Sequence, residues 1–108
     1  MRSKNEILFA NLCILKYPNV LLNCKLFDNW DSDVIIPHLR VAVLWNGIYH
    51  YKKVKAGHDL EAVQRQDRLK IEAIKRCGYF PYVIKDMGSH NKEFVYEQFE
   101  IFSTLYHD

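Results

Sequence analysis

An acidic side chain interrupts the apolar face of a predicted helix in the second half of the chain. The apolar stripe of this helix runs through Leu60, Val63, Ile71 and Ile74, and Asp67 lies four residues from both Val63 and Ile71. The Asp67 carboxylate is therefore predicted to face a sheet, where it needs hydrogen-bond donors, a cation or a metal to offset the loss of hydration. A salt bridge to a neighbouring lysine or arginine, or a position at the edge of the stripe, would also explain it.

Three other residues have side chains suited to acid–base or metal chemistry. Asp33 opens an apolar strand, and because consecutive strands usually neighbour one another, it is expected near the end of the following strand. His50 lies between two tyrosines and could serve as a general base near neutral pH. Glu6 follows Ser3 by three positions. Each also has a structural explanation. Asp33 could be a turn residue, His50 a packed or surface histidine, and Glu6 part of a helix capping box.

The elements that must position these residues follow from hydrophobic periodicity and from turn residues. The pattern predicts the order α-β-β-β-α-β-α, a mixed sheet flanked by helices in the α/β class. The predicted elements are a helix from Ser3 to about Tyr17, strands at 19–27, 33–37, 40–45 and 79–85, and helices at 59–77 and 91–107, with a tight connection at 28–32 and a loop at 46–58.

Length and composition indicate one globular domain, residues 1–108, in a reducing compartment. Half of the residues are apolar and a quarter are charged, which disfavours disorder. The three cysteines are odd in number and lack CxxC spacing, so we expect free thiols. No apolar run reaches the roughly 18 residues that would cross a bilayer. We therefore expect a cytoplasmic protein without a membrane partner.

The charges are unevenly distributed along the chain although the net charge is only +2. Residues 50–76 carry eight Lys or Arg against four Asp or Glu, whereas residues 86–108 carry one against five. A basic middle segment is compatible with a nucleic-acid partner, and equally with an ordinary solvated face.

Three stretches of the chain together resemble a known family. They are "SKNEILFANLCILKYPNV", "SDVIIPHLRVAVLWNGIYHY" and "QRQDRLKIEAIKRCGYFPYVIKD". They resemble the restriction-endonuclease-like fold of the PD-(D/E)xK superfamily, most closely the branch of very-short-patch-repair mismatch endonucleases and EDxHD phage homing endonucleases. The most specific parts are the strand that opens with an aspartate, the apolar strand that ends in a glycine, the histidine after it and the Arg-x-Asp-Arg helix.

The resemblance implies a role for each candidate residue. It makes Glu6 the acidic residue of the first helix and Asp33 the metal-binding aspartate, with the backbone carbonyl of Trp45 completing a Mg²⁺ or Mn²⁺ site. It makes His50 the general base and Asp67 the last acidic member. Asp67 would either orient His50 or support the metal shell.

The chain also departs from the wider superfamily. Most of these nucleases carry an acidic-x-lysine pair on the central strand, where this chain reads "LWN". The mismatch-repair branch also lacks that pair and uses a histidine, so the departure favours the branch. No cysteine–histidine cluster stands where that enzyme would hold its structural zinc.

The function implied is hydrolysis of phosphodiester bonds in double-stranded DNA in a bacterial or phage-infected cell. Sequence specificity would come from short loops, from a second copy in a homodimer or from an additional DNA-binding domain. Two alternatives remain, a nucleic-acid-binding module of the same fold without catalysis, and a scaffold that dimerises through the aromatic C-terminal helix. The residues predicted to contact DNA phosphates are Lys52, Lys53, Lys55, Arg65 and Arg68.

Overall fold

A computed structural model describes residues 3–88 and 91–107, which form three α-helices and a four-stranded sheet. The observed order matches the predicted one and confirms the α/β class with a mixed sheet. The elements are α1 (Lys4–Lys16), β1 (Leu21–Phe27), β2 (Trp30–Ile36), β3 (Val41–Asn46), α2 (Leu60–Arg76), β4 (Phe80–Lys85) and α3 (Lys92–Leu105), with short 3-10 helices at Pro37–Leu39 and Ile48–His50.

The strands lie side by side in the order β1-β2-β3-β4. The first two pairings are antiparallel, and β3 and β4 are parallel. Parallel neighbours need a long crossover, which α2 provides between them. The crossover helix lies within the segment 59–77 that the sequence predicted to be helical. Asp59 caps its start by accepting a hydrogen bond from the Ala62 N–H at 3.0 Å, and Gly78, with a φ of 83°, lies just past its end.

Alternating side chains of the sheet pack into two apolar layers. Val41, Val43 and Trp45 of β3 face α1 and α3, whereas Ala42 and Leu44 face α2. Because both faces of β3 are covered by helices, all six of its residues are buried. The near-continuous apolar run of this strand is thereby explained.

The polar segment at 28–32, predicted to be a tight connection, is mostly strand. The turn needs only Asp28 and Asn29, whose φ angles of 52° and 70° are both positive. Two such residues make a two-residue hairpin turn whose twist matches the flanking strands. Trp30 therefore already pairs with Phe27, and β2 begins three residues earlier than predicted. As a result, Asp31 and Asp33 lie on the same face of one strand.

The helices of the described residues are all too short or too polar to cross a membrane.

Phe102 in α3 holds the aromatic part of the core together. Its side chain is fully buried, and its ring centroid lies 4.9 Å from that of Tyr82 and 5.0 Å from that of Tyr106. Replacing Phe102 with Ala leaves a cavity among these rings, so we expect the free energy of unfolding to fall by about 3–5 kcal/mol in urea denaturation. The matched change Leu105→Ala, at a side chain that is 63% exposed on the same helix, should cost less than about 0.5 kcal/mol. Equal losses for the two variants would contradict this account of the core.

Candidate active site

A cavity of about 460 Å³ opens where β3 and β4 end. Ligands of α/β proteins commonly bind beyond the carboxyl ends of parallel strands, because loops and helix termini converge there. Glu6, Asp33, His50 and Asp67 all line this cavity. They come from four separate elements, namely α1, β2, the 3-10 turn after β3, and α2. The fold thus brings together the four residues that the sequence singled out.

Asp33 binds the backbone of the neighbouring strand. Its Oδ2 accepts a hydrogen bond of 2.7 Å from the N–H of Trp45 at the end of β3. Burial raises the pKa of Asp33 to about 6, and the nearby Glu6 carboxylate adds to the increase. The Trp45 N–H and the Lys70 ammonium group act in the opposite direction. Asp33 is thus a carboxylate that the fold holds in unfavourable surroundings for its charge.

Glu6 lies in the first turn of α1, and its side chain is only 8% exposed. The helix cap expected from the sequence is present, since the Ser3 Oγ accepts a hydrogen bond of 3.1 Å from the Glu6 N–H. That cap occupies the main chain of Glu6. Its carboxylate lines the cavity and lies close enough to Asp33 to shift its pKa.

Trp45 is the third residue of the group that Glu6 and Asp33 form in the cavity lining. The N–H and C=O of a strand residue point to the same neighbouring strand. Because the Trp45 N–H donates to Asp33 on β2, its carbonyl also faces the β2 side. The backbone oxygen that the resemblance assigns to a metal site is thus directed to the edge where Asp33 lies.

His50 and Asp67 form a second pair of residues in the cavity lining. The His50 Nδ1 lies 2.8 Å from the Asp67 Oδ2, and the two side chains are 31% and 24% exposed. A carboxylate accepts hydrogen bonds, so Nδ1 carries the hydrogen and Nε2 is the basic nitrogen. Gln64, one turn before Asp67, donates its Nε2–H to the His50 carbonyl at 3.2 Å. The inward-facing Asp67 thus has its partner on the 3-10 turn.

The donor set on the Asp33 side fits a hard divalent cation. Two carboxylates, Glu6 and Asp33, interact there, and a carbonyl is directed to the same edge. Mg²⁺ takes oxygen ligands and commonly uses one or two protein carboxylates while keeping several waters. Among residues 3–88 and 91–107, no three His, Cys, Asp or Glu side chains are grouped as metal ligands. A site of two carboxylates is the kind that Mg²⁺ uses.

Sequence reasoning missed two charged residues that line the cavity, Lys70 and Asp86. The Lys70 Nζ lies 3.0 Å from the Asp31 Oδ1. Its position three residues after Asp67 on α2 was a usable signal, since residues three apart share a helix face. Asp86 is 6% exposed and follows the last residue of β4. Its position at the end of a parallel strand was the corresponding signal.

The basic residues predicted to contact DNA are exposed and lie outside the cavity lining. Lys55 contacts the ring of Tyr49, a cavity residue, at 5.8 Å from the centroid. Arg68 lies about 100° around α2 from Asp67, whereas Arg65 lies about 160° away, on the opposite side of the helix. The remaining members of the set, Lys52 and Lys53, lie in the segment that follows His50.

The raised pKa of Asp33 predicts a pH-dependent effect of Asp33→Asn on stability. Because the folded state disfavours the ionised carboxylate, the free energy of unfolding of wild type falls as pH rises from about 4 to above 6. In EDTA, we expect the variant to gain about 1–3 kcal/mol in free energy of unfolding over wild type between pH 4 and pH 7.5. Urea denaturation at both pH values measures this difference.

Asp28→Asn is the matched control for that experiment, because Asp28 is exposed and forms an exposed ion pair with Arg76 at 3.2 Å. Its difference from wild type should change by less than about 0.5 kcal/mol over the same pH range. If the free energy of unfolding of Asp33→Asn differs from that of wild type by the same amount at both pH values, the folded state does not disfavour the ionised form of Asp33.

Comparisons with known proteins provide no relative for this chain. No protein-family model matches it. No curated protein and no solved structure gives a significant match either.

Proposed function

We propose that this chain is a Mg²⁺-dependent DNA endonuclease with a restriction-endonuclease-like fold, of the branch that includes the very-short-patch-repair and EDxHD homing endonucleases. The observation that carries the proposal is the convergence of Glu6, Asp33, His50 and Asp67 from four elements on one cavity. Four separate structural explanations would otherwise have to coincide at one place. The mixed sheet with its helical crossover is compatible with that fold.

His50 serves as the general base in this proposal. With Nδ1–H bound to Asp67, Nε2 takes a proton from water and the resulting hydroxide oxygen bonds to phosphorus. One P–O ester bond breaks with its electron pair on the leaving oxygen, which takes a proton from solvent water. Asp67 keeps the ring in this tautomer and stabilises the imidazolium that forms. General bases of this type contribute about 10²- to 10⁴-fold to a rate.

The residues around Asp33 would hold the cation. Asp33 and the Trp45 carbonyl would bind Mg²⁺, or Mn²⁺ in its place, and Glu6 would orient the water shell. When bound, such an ion supplies positive charge against the phosphate oxygens in the transition state.

Lys70 provides a fixed positive charge in the same cavity. Its side chain is 24% exposed and is held by Asp31 at 3.0 Å, on the face of α2 that carries Asp67. An ammonium group at this position can bind a non-bridging phosphate oxygen. Lys70 thereby performs part of the charge neutralisation that a lysine on the central strand performs in most of the superfamily.

Duplex DNA is the proposed substrate, and the exposed lysines after His50 are the proposed phosphate contacts. Lys52, Lys53 and Lys55 follow the catalytic turn directly, and Arg68 extends the basic surface along α2. Phosphate contacts position a protein without reading bases. Specificity would come from the short loops, from a second copy or from a further DNA-binding domain, in the cytoplasm of a bacterial or phage-infected cell.

A non-catalytic DNA-binding module is the second candidate. The specific observation in its favour is that the lysines lie outside the cavity, where they would serve binding equally well without catalysis. A binding module, however, has no use for a His–Asp pair beside two interacting carboxylates. Cleavage assays separate the two functions.

Wild-type protein should convert supercoiled plasmid to nicked or linear DNA in Mg²⁺ buffer, and EDTA should abolish the conversion. Asp33→Ala removes a cation ligand, so we expect the rate to fall about a hundredfold or more. His50→Ala should lower it about 10²- to 10⁴-fold. Gel electrophoresis of the plasmid forms measures all three rates.

His107→Ala is the matched control, since His107 is exposed two residues past the end of α3, outside the cavity lining. It should cleave like wild type. If wild type and Asp33→Ala leave the plasmid equally intact over a range of metals and salt concentrations, the nuclease assignment fails.

The DNA-binding surface is tested by replacing Lys52, Lys53 and Lys55 together with Ala. Each lost phosphate contact lowers the slope of log K against log salt by about 0.9, so the triple variant should bind DNA more weakly and with a flatter salt dependence. Fluorescence anisotropy with a labelled duplex from 50 to about 200 mM salt measures both.

A second triple variant with the same loss of charge serves as its control. It replaces Lys16, Lys75 and Arg76, which lie in the last turns of α1 and α2, with Ala. A salt slope that is unchanged in the first variant, or reduced equally in both, would remove the lysines after His50 from the interface.

A further inference from the structure

Asp86 is a buried carboxylate that the proposed mechanism does not use. It follows β4, and its backbone N–H donates to the Asn46 carbonyl at 2.8 Å, which continues the parallel ladder by one residue. Its side chain is 6% exposed. Burial of a carboxylate lowers stability unless hydrogen-bond donors surround it. The residues that donate to Asp86 therefore indicate which parts of the chain it connects.

Three donors from three parts of the chain bind the Asp86 carboxylate. The Trp45 indole Nε1–H donates to Oδ2 at 3.0 Å, and the Asn5 Nδ2 donates to the same oxygen at 3.2 Å. The Gly88 N–H donates to Oδ1 at 2.9 Å. The carboxylate therefore joins the start of α1 to the end of β3.

Both side-chain donors, Asn5 and Trp45, are next to residues proposed to hold the cation. Asn5 precedes Glu6 in the first turn of α1. Trp45 is bound at both ends, by its indole to Asp86 and by its backbone N–H to Asp33 at 2.7 Å. Through these two contacts, Asp86 fixes the helix turn that carries Glu6 relative to the strand end that binds Asp33.

We propose that Asp86 is a positioning residue that sets the spacing of Glu6 and Asp33 and thereby the affinity of this site for a divalent cation. The inference rests on the proposed function for its cation, and the Mg²⁺ titration that tests it is independent of DNA cleavage. Residues that orient metal ligands typically contribute about 10- to 100-fold to metal affinity.

Trp45 reports on this arrangement by fluorescence. The chain has two tryptophans, so Trp30→Phe leaves Trp45 as the single indole emitter while keeping an aromatic ring at position 30. In this background protein, Mg²⁺ titration should give a saturable change in Trp45 emission. With Asp86→Asn added, the metal-free emission should already differ, because the amide cannot accept hydrogen bonds from all three donors. Its N–H₂ group meets either the Gly88 N–H or the side-chain donors of Trp45 and Asn5. The Mg²⁺ concentration at half-saturation should rise about 10- to 100-fold.

Two controls separate positioning from charge and from stability. Asp28→Asn removes the same charge at an exposed site and should leave the half-saturating Mg²⁺ concentration within about twofold. Phe102→Leu weakens the core without touching the cavity, so it should lower the melting temperature and leave the half-saturating concentration unchanged.

The outcomes distinguish this inference from the proposed function. The positioning role is overturned, even where plasmid is cleaved, if Asp86→Asn leaves the half-saturating Mg²⁺ concentration unchanged. It is also overturned if Phe102→Leu raises that concentration as much as Asp86→Asn does. The positioning role is overturned as well if Mg²⁺ does not change the Trp45 emission of the background protein. A tenfold or larger rise confined to Asp86→Asn supports it, and the absence of plasmid cleavage in the same preparation would then count against the nuclease assignment alone.

Discussion

The parallel pairing of β3 and β4 extends over six successive residue pairs, from Val41 with Phe80 to Asn46 with Lys85. Parallel strands cannot be joined by a tight turn, so α2 must cross one face of the sheet while α1 and α3 cover the other. The same pairing ends both strands at one edge, where backbone groups emerge from the ladder and polar side chains reach solvent. The position of the cavity, the inward face of α2 and the burial of β3 on both sides all follow from it.

Four carboxylates, those of Glu6, Asp33, Asp67 and Asp86, line that one cavity, and their mutual repulsion must be offset. Most of the compensation is visible as specific contacts. Asp67 binds His50, and Asp86 binds the Trp45 indole and the Asn5 amide. Asp33 accepts a hydrogen bond of 2.7 Å from the Trp45 N–H, but burial, together with the nearby Glu6 carboxylate, raises its pKa to about 6. A carboxylate whose charge the fold disfavours thus lies in the cavity lining, close to a second carboxylate.

Much of the fold was predictable because local signals agreed with the tertiary arrangement. The extent of α2 and the apolar run of β3 each depend on neighbours within a few residues, and each prediction was confirmed. The start of β2 was predicted wrongly, since the polar residues at 28–32 resemble a loop. Only the positive φ angles of Asp28 and Asn29 show that two residues complete the turn.

For the candidate site, the sequence by itself determined which side chains are out of place. Asp67 within an apolar stripe could be recognised because helical periodicity is local, and Glu6, Asp33 and His50 were selected by residue type and resemblance. The partners of these residues were decided by the tertiary structure. His50 and Asp67 are 17 positions apart, and Asp86 and Asn5 are 81 apart. Contacts over such separations depend on strand order, register and helix crossing, which no local pattern encodes. Local position made Lys70 and Asp86 candidates, but their place in one cavity with the other four residues was decided by the packed fold.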